Sequence, residues 1–313
     1  AMDAFYRPAA IFDRQAFRGQ SFLLTGGAHG IGKATVLHLA SLGGHVVAVD
    51  ISERFIEHFE QQIPARLRER IVLMRGDVNS RADMTAAIKQ CRDRLGRIDG
   101  LINNAMAAEH GPIRKQSAAS MTRVWKTNVL AAWRNIKQTL PIMEAQGGGA
   151  VVNISSIMAE RIAWDAAPYS SSKASLEGLT RALAVELAPA RVRVNAVAPG
   201  PISTREPRDR ANPGVPDDVW EEYRGILEKF RTARQSMLHP WPDLGRPSDI
   251  AGAVCFLVSG AASFVTGSVL RVDGGAMCYD NMFRHEQARE LEPLQKRIEE
   301  LRAAYPKLGR RRR

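Results

Sequence analysis

Seven short apolar runs, separated by stretches with helical periodicity, constrain the fold of this chain more than any other feature. The runs are "SFLLT" at 21, "HVVAVD" at 45, "IVLMR" at 71, "DGLINN" at 99, "AVVNIS" at 150, "VRVNAVA" at 192 and "SVLRVD" at 268. Amphipathic stretches such as 31 to 42, 82 to 95 and 120 to 145 lie between them. Near-continuous apolar strands that alternate with helices are typical of a parallel sheet covered on both faces. The sequence therefore predicts a doubly wound α/β fold.

Two segments interrupt this alternation. Residues 203 to 245 are rich in proline, arginine and aspartate around a predicted helix that starts at Asp217, and they separate the last two strands. We interpret this segment as a lid over the substrate end of the sheet, because loops at the carboxyl ends of the strands border the ligand in such folds. After Gly275, apolar residues recur at helical spacing between 291 and 301. This tail predicts an amphipathic helix that docks on the body or on a neighbouring copy.

The predicted organisation is an N-terminal extension at 1 to 17, one catalytic domain at 18 to 275, and a helical, basic tail at 276 to 313. A hydrophobic content of 45% and a charged content of 25% are typical of soluble globular proteins. No apolar run approaches the roughly 20 residues that span a bilayer. The start carries acid and proline where a signal peptide has an apolar core, so we expect a cytoplasmic protein with no membrane contact.

Cysteine, histidine and charge patterns argue against several other functions. The three cysteines are widely spaced without a CxxC pair, and the seven histidines show no HExxH spacing, so neither disulfides nor a metal site is predicted. The net charge of +11 comes from dispersed basic residues apart from "RRRR" at 310. We interpret that run as a solvated tail, with nucleic-acid binding as the weaker alternative.

The first predicted strand ends in the glycine-rich stretch "TGGAHGIGKAT", which leads directly into a helix. Gly26, Gly30 and Gly32 permit a tight turn and let backbone N–H groups approach a pyrophosphate at the helix N-terminus. The spacing GxxxGxG departs from the GxGxxG dinucleotide fingerprint, and an ordinary turn is the alternative. Its place after the first strand of a βαβ unit favours nucleotide binding.

Asp50 ends the second predicted strand, where a carboxylate meets the adenosine ribose hydroxyls in dinucleotide sites. A carboxylate repels a 2′-phosphate, and neither His29 nor Ile51 supplies a cation for one. The sequence therefore favours NAD over NADP. The alternative, an aspartate that caps the following turn, is compatible with this role.

Tyr169 and Lys173 lie four residues apart in "YSSSK", on one face if the stretch is helical. Two unit charges about 4 Å apart at an effective dielectric near 20 interact by about 4 kcal/mol, on the order of 3 pKa units. An ammonium there is expected to lower the pKa of the phenol into the range of acid/base catalysis. For an isolated YxxxK pair, the alternative is a surface helix turn.

Eight motifs in order carry a resemblance to a known family. They are "TGGAHGIG" at 25, "GDV" at 76, "NNA" at 103, "KTNV" at 126, "NISS" at 153, "YSSSK" at 169, "NAVAPGPIST" at 195 and "LGRPSDIAGAVCFLVSGAASFVTGSVLRVDGG" at 244. The chain resembles the single-domain short-chain dehydrogenase/reductases over about residues 18 to 275, apart from the excursion. The resemblance implies a Rossmann-type fold.

The resemblance also implies a catalytic set. Tyr169 would be the acid/base, and Lys173 would lower its pKa and bind the nicotinamide ribose. Ser156 would polarise the substrate oxygen, since its neighbour Ser155 points to the other side of an extended chain. Asn128 would hold a water that links Lys173 to solvent.

A larger set of cofactor contacts follows from the same resemblance. Asp77 and Val78 would contact adenine, Asn103 would line the dinucleotide groove, and the segment from Pro199 to Thr204 would surround the nicotinamide carboxamide. With Tyr169 and Lys173, the full set is Gly26, His29, Gly30, Ile31, Gly32, Asp50, Asp77, Val78, Asn103, Asn104, Ala105, Pro199, Gly200, Ile202 and Thr204.

One departure from the family pattern bears on the substrate. Met106 follows "NNA" where the family usually has glycine, which places a side chain near the substrate or the nicotinamide. With Met158, Trp164 and Trp241 it suggests an apolar pocket for a bulky or ring-bearing compound. The alternative for the aromatic residues is that they only attach the lid to the body.

The leading functional hypothesis is an NAD-dependent oxidoreductase that interconverts a secondary alcohol and a ketone by hydride transfer. One alternative keeps the fold and cofactor for a lyase, dehydratase or epimerase reaction. Another is a non-catalytic dinucleotide-binding protein, which the presence of both Tyr169 and Lys173 makes the weaker hypothesis. Relatives of this fold commonly form tetramers, so we expect a homodimer or homotetramer that buries helices around 120 to 145 and 168 to 188.

Overall fold

A computed structural model describes residues 13–204, 215–236, 238–279, 285–305 and 308. The chain divides into two compact units, one formed by 1–204 with 246–272 and the other by 205–245 with 273–313. The predicted excursion and the predicted tail thus belong to the same compact unit. The functional division into extension, catalytic domain, lid and tail stays a prediction.

The first unit is built on a seven-stranded parallel sheet. Its strands are β1 Ser21–Thr25, β2 His45–Asp50, β3 Ile71–Arg75, β4 Gly100–Asn103, β5 Gly149–Ile154, β6 Val192–Pro199 and β7 Val269–Val272. They lie in the order β3-β2-β1-β4-β5-β6-β7, and every neighbouring pair is parallel. This confirms the predicted Rossmann-type, doubly wound fold, with one strand at each of the seven apolar runs.

Helices follow the strands in chain order. They are α1 Gly30–Ser41, α2 Glu53–Gln62, α3 Arg81–Leu95, α4 Ala118–Trp125, α5 Ala131–Ala145, α6 Ala167–Glu186, α7 Asp217–Ser236, α8 Pro247–Val258 and α9 His285–Ala304. Helices α7 and α9 belong to the second unit. Within the described residues, no helix combines the length and the apolar character needed to cross a membrane.

Alternate residues of each strand pack into two apolar layers. Phe22 and Leu24 of β1 point into the layer that contains α1 and α8, whereas Leu23 points into the layer with α3, α5 and α6. Both faces of the sheet are therefore buried, which explains why the strands are apolar without polar alternation. Because all strands run in the same direction, their carboxyl ends share one edge, and the motifs that follow β1, β2, β4, β5 and β6 meet there.

The second unit has a small apolar core of its own between α7 and α9. Its buried residues are Val215, Tyr223, Ile298, Leu301 and Leu308. An ion pair between Arg297 and Glu222, with 2.8 Å between nitrogen and oxygen, joins the two helices at the surface. The tail helix thus packs on the helix of the excursion, a pairing that the sequence did not predict.

Candidate active site

Tyr169 lies in the first turn of α6, two residues after the helix begins at Ala167. Its phenol lies beside Ser156, which follows the end of β5. Burial raises the pKa of the Tyr169 phenol, and the hydrogen bond with Ser156 opposes this rise. The Ser156 hydroxyl also accepts a hydrogen bond from the backbone N–H of Met158, at 3.1 Å, which fixes its position.

Lys173 lies one helical turn beyond Tyr169 and is only 2% exposed. Its ammonium donates a hydrogen bond to the carbonyl oxygen of Ile154 at 2.6 Å and lies 5.6 Å from the centre of the Tyr169 ring. Burial lowers the pKa of Lys173 to about 8. The helical spacing therefore does bring phenol and ammonium into one site.

The direction of the Tyr169 pKa shift differs from the expectation. A lowered pKa was expected from the charge of Lys173, but the pKa is raised because burial disfavours the phenolate more than the hydrogen bond with Ser156 favours it. The Lys173 ammonium is directed to the carbonyl of Ile154 in this arrangement. The phenol is thus only partly exposed, and its activation needs positive charge.

Asn128 sits in a π-helical turn, Lys126–Leu130, between α4 and α5. Its amide nitrogen donates to the carbonyl of Ala107 and to the hydroxyl of Ser172, each at 2.9 Å, and its amide oxygen accepts from the N–H of Ala107 at 2.8 Å. The sequence motif predicts the residue but not the π-turn, a distortion that is frequent at functional sites. Asn128 therefore joins the segment after β4 to the helix that carries Lys173.

A small cavity lies beside Lys173. Its polar wall includes Thr25, Asn103, Asn128 and Asn135. The amide oxygen of Asn135 is buried and has no hydrogen-bond partner within the part of the chain that the structure describes. A buried polar space of this kind suits ordered water.

Buried amides behind this cavity form a chain that the sequence analysis missed. Asn135 donates to Asn103 at 3.1 Å, Asn103 to Asn153 at 2.9 Å, and Asn153 to Thr180 at 2.9 Å. These bonds tie the carboxyl ends of β4 and β5 to α5 and α6. Only the asparagines inside otherwise apolar runs gave a signal in the sequence, because isolated polar residues in buried strands need partners.

The glycine-rich turn is packed too tightly to accept side chains. A Cβ atom on Gly32 would lie 1.9 Å from the carbonyl oxygen of Gly26, and one on Gly26 would lie 2.8 Å from the Cα of Ala105. The amide of Asn104 holds this turn by donating to the carbonyl oxygens of Gly26 and Thr25 at 2.7 and 3.0 Å. The resulting close backbone turn at the N-terminus of α1 fits a dinucleotide pyrophosphate.

The carboxylate of Asp50 is partly exposed and positioned by the turns around it. It accepts hydrogen bonds from the backbone N–H groups of Ala28 and Ser52, both at 3.0 Å. The turn-capping interaction is thus present, as the sequence analysis allowed beside a ribose contact. Nearby, the imidazole of His29 stacks on Phe55 with ring centres 4.6 Å apart.

Arg75, which the sequence analysis overlooked, lies opposite Asp50 in the register of β2 and β3. Its guanidinium pairs with Glu53 at 3.3 Å, and both side chains are largely exposed. Arg75 is therefore the cation that any test of NAD against NADP has to control.

The remaining predicted cofactor residues lie along the same edge of the sheet. Asp77 caps its own turn by accepting from the N–H of Asn79 at 2.8 Å, and Val78 and Ala105 line the small cavity. The N–H of Gly200 donates to the carbonyl oxygen of Val272 at 2.9 Å. Ile31 and Ile202 are partly buried, and Pro199 is buried. Thr204 lies close to the glycine-rich turn, since its Cβ would be 3.2 Å from a Cβ atom on Gly30.

The predicted substrate residues differ in placement. Met106 is 50% exposed beside the backbone that Asn128 holds, and Met158 is partly buried beside Ser156. Trp164 is 84% exposed in the loop before α6. Trp241 is 62% exposed and belongs to the second compact unit. A shared pocket of all four stays a prediction.

Comparison with known proteins places this geometry in a family. The family model described as "Enoyl-(Acyl carrier protein) reductase" matches residues 26–277. The chain belongs to the short-chain dehydrogenase/reductase family. This confirms the resemblance inferred from the motifs and supports an oxidoreductase activity that uses NAD or NADP.

Two relatives and one solved structure illustrate the similarity. The (2S)-[(R)-hydroxy(phenyl)methyl]succinyl-CoA dehydrogenase subunit BbsD of Thauera aromatica is 36% identical, over 81% of this chain and 94% of that protein. The cis-4-hydroxycyclohexanecarboxylate dehydrogenase of Sinomonas cyclohexanicum is 36% identical, over 83% and 98%. The crystal structure of levodione reductase superposes with a TM-score of 0.73 at 30% identity, over 84% of this chain and 100% of that one.

Proposed function

We propose that this short-chain dehydrogenase/reductase is an NAD-dependent oxidoreductase that interconverts a secondary alcohol and a ketone. The observation that carries the proposal is the meeting of Ser156, Tyr169 and Lys173 at the carboxyl edge of the parallel sheet, with the phenol beside Ser156 and an ammonium 5.6 Å from the centre of the phenol ring. Loss of hydride from an alcohol carbon requires removal of the hydroxyl proton, and this set provides the base.

Each side chain has a distinct task in that step. Tyr169 accepts the hydroxyl proton during oxidation and returns it during reduction, while Ser156 donates a hydrogen bond to the substrate oxygen. Since burial raises the pKa of Tyr169, the phenolate depends on the positive charge of Lys173. Asn128 holds the backbone of Ala107 beside the lysine, and a water there would connect it to solvent. Bound NAD would supply the hydride acceptor.

The preference for NAD rests on Asp50. Its carboxylate is held at the end of β2 by two backbone N–H groups and remains partly exposed, so it is available to ribose hydroxyls. A 2′-phosphate would meet that negative charge. Gly26, Gly30 and Gly32 would hold the pyrophosphate, and Lys173 the nicotinamide ribose.

The substrate is proposed to be bulky or ring-bearing. Met106, Met158 and Trp164 supply large apolar side chains around the catalytic segment, and Trp241 is a further candidate from the sequence. Relatives whose names include phenyl and cyclohexane groups favour the same substrate class. A lid formed by the excursion at 203 to 245 stays a prediction from the sequence, and its residues 205–214 and 237 lie outside the described residues.

A panel of aliphatic and ring-bearing secondary alcohols, each with NAD or NADP, tests the proposal. We expect NADH absorbance to rise in step with ketone formation, and faster for ring-bearing alcohols. A converted substrate without net NADH would favour the lyase, dehydratase or epimerase alternative. NADH binding without conversion of any substrate would favour the non-catalytic one.

We further propose that the active form is a homodimer or homotetramer. Large apolar side chains are exposed on the helices predicted to assemble: Leu130 is 51% exposed, Trp133 41% and Val185 78%. Exposed apolar side chains of this size favour burial in an interface. Light scattering coupled to size exclusion, on the unmodified chain and on Trp133→Glu, tests this; a monomer in both cases contradicts it. A cytoplasmic location and the absence of nucleic-acid binding stay predictions.

A further inference from the structure

A buried carboxylate lies one helical turn behind the lysine of the proposed site. Glu177 follows Lys173 by four residues on α6, and only 4% of its surface is exposed. The proposed chemistry assigns it no task. Buried carboxylates are rare unless they are paired or hydrogen-bonded, so its position needs a physical reason.

The chain at the end of β5 holds Lys173 and Glu177 with consecutive residues. The carbonyl of Ile154 accepts from the Lys173 ammonium at 2.6 Å, and the hydroxyl of the next residue, Ser155, donates to the Glu177 carboxylate at 2.8 Å. Ser155 is itself buried. Ser155, which has no place in the proposed catalytic set, is therefore hydrogen-bonded to the carboxylate of Glu177 on the same helix as Lys173.

The charges around this carboxylate have opposite signs. Arg181 and Arg271 favour its charged form, Glu160 opposes it, and Arg271 is itself paired with Glu160 at 2.6 Å. Burial raises the pKa of Glu177, whereas the hydrogen bond from Ser155 lowers it. The donor from Ser155 is thus placed to keep a negative charge in a buried position.

We propose that Glu177 is a positioning residue that acts through Lys173, supplying the negative charge that compensates the buried ammonium. The inference rests on the proposed function, in which the charged lysine activates Tyr169 and binds the ribose. Burial lowers the pKa of Lys173 to about 8, and Glu177 is the group that opposes this fall. Without the carboxylate, the ammonium would be neutral over more of the physiological pH range.

The test is a direct titration of Lys173 in the full chain without cofactor. The protein is labelled with ¹³C at the lysine ε-carbons, and the Lys173 resonance is assigned by its absence in Lys173→Met. In Glu177→Gln we expect the Lys173 pKa to fall by about 1 unit, because an opposite charge has been removed from a buried site. Glu177→Asp keeps the negative charge, so the Lys173 pKa should stay close to that of the unmodified protein.

The matched control is Glu186→Gln, the same substitution at an exposed position of the same helix, where no change in the Lys173 titration is expected. NADH affinity is followed by fluorescence as the pH is raised. In Glu177→Gln this affinity should begin to fall at a lower pH than in the unmodified protein, because Lys173 loses its charge earlier. A Lys173 titration that is unchanged in folded Glu177→Gln overturns the proposal.

A second variant covers the case in which Glu177→Gln does not fold. Ser155→Ala removes the hydrogen bond that favours the carboxylate, so the Lys173 pKa should fall in the same direction by a smaller amount, and an unchanged titration there also overturns the proposal. Because the titration needs no substrate, it separates two failures. A normal charge effect without alcohol turnover would contradict the proposed function, and turnover without the charge effect would contradict this inference.

Discussion

Both compact units of the chain have an apolar core, but they differ in the polar contacts that accompany it. In the first, buried side-chain amides link strand ends to helices, as in the bond of 2.9 Å from Asn153 of β5 to Thr180 of α6. In the second, two amphipathic helices share an apolar core around Tyr223 and Leu301, with an ion pair at its surface. Polar networks fix one geometry because an unpaired buried group is costly, whereas apolar contacts tolerate repacking. We therefore expect catalysis in the first unit to be sensitive to the loss of single atoms. The stability of the second unit should depend on the volume of its apolar side chains.

Removal of one hydroxyl from each unit is the strongest test of this comparison. Tyr169→Phe should lower turnover by about 10²–10⁴-fold, because it deletes the proposed acid/base, while NADH binding is kept. Tyr223→Phe is the matched change in the second unit, where the hydroxyl accepts from Arg302 at 3.1 Å and donates to Leu308 at 3.3 Å. It should lower the free energy of unfolding by about 1 kcal/mol and keep turnover. Steady-state kinetics and denaturant melts check both; equal turnover in Tyr169→Phe and the unmodified chain would remove the catalytic assignment.

Deletion of apolar side-chain volume should destabilise the second unit. Leu301→Ala is expected to lower its stability by about 2–5 kcal/mol, because the side chain is only 4% exposed in a small core. Leu291→Ala, at a partly exposed position of the same helix, is the control and should have a smaller effect. Hydrogen exchange of peptides from α7 measures the loss of protection. Unchanged exchange in Leu301→Ala would show that the pairing of α7 with α9 does not stabilise the unit.

Glycine substitutions compare the backbone of the two units. Gly32→Ala should lower the free energy of unfolding by about 1–3 kcal/mol and weaken NADH binding, since its Cβ would lie 1.9 Å from the Gly26 carbonyl oxygen. Gly225→Ala, in α7, meets no atom within 4 Å and should stabilise the helix by about 0.5–1 kcal/mol. Thermal melts with and without NADH test both. A neutral Gly32→Ala would contradict the close approach of backbone at the nucleotide turn.

The same difference explains how much the sequence could predict. The strands follow from runs of β-branched residues, and Asp50 and Ser156 could be placed at one edge because parallel strands end together. The asparagine chain could not be predicted, because its bonds depend on the side-chain geometry of four separate elements. The apolar stripe of α9 predicted a covered face but not that α7 covers it, since burial of a stripe is not specific for a partner. The Tyr169 pKa was predicted in the wrong direction because the spacing shows a neighbouring charge but not the burial around it.

The carboxylate of Asp50 both caps a turn and is proposed to select the cofactor. Asp50→Ala should weaken NAD binding about tenfold, as expected for a lost hydrogen bond to a charged group, and should improve NADP binding because the repulsion is gone. Asp50→Asn separates the two tasks, since it removes the charge but keeps an acceptor for the N–H of Ala28 or Ser52. If charge decides the preference, Asn and Ala should relax the NAD-to-NADP ratio alike, and only Ala should also lower the melting temperature. Arg75→Ala is the control for the nearby cation, which pairs with Glu53. An unmodified protein that prefers NADP, and loses that preference in Arg75→Ala, would transfer the choice of cofactor from the aspartate to the arginine opposite it in the sheet.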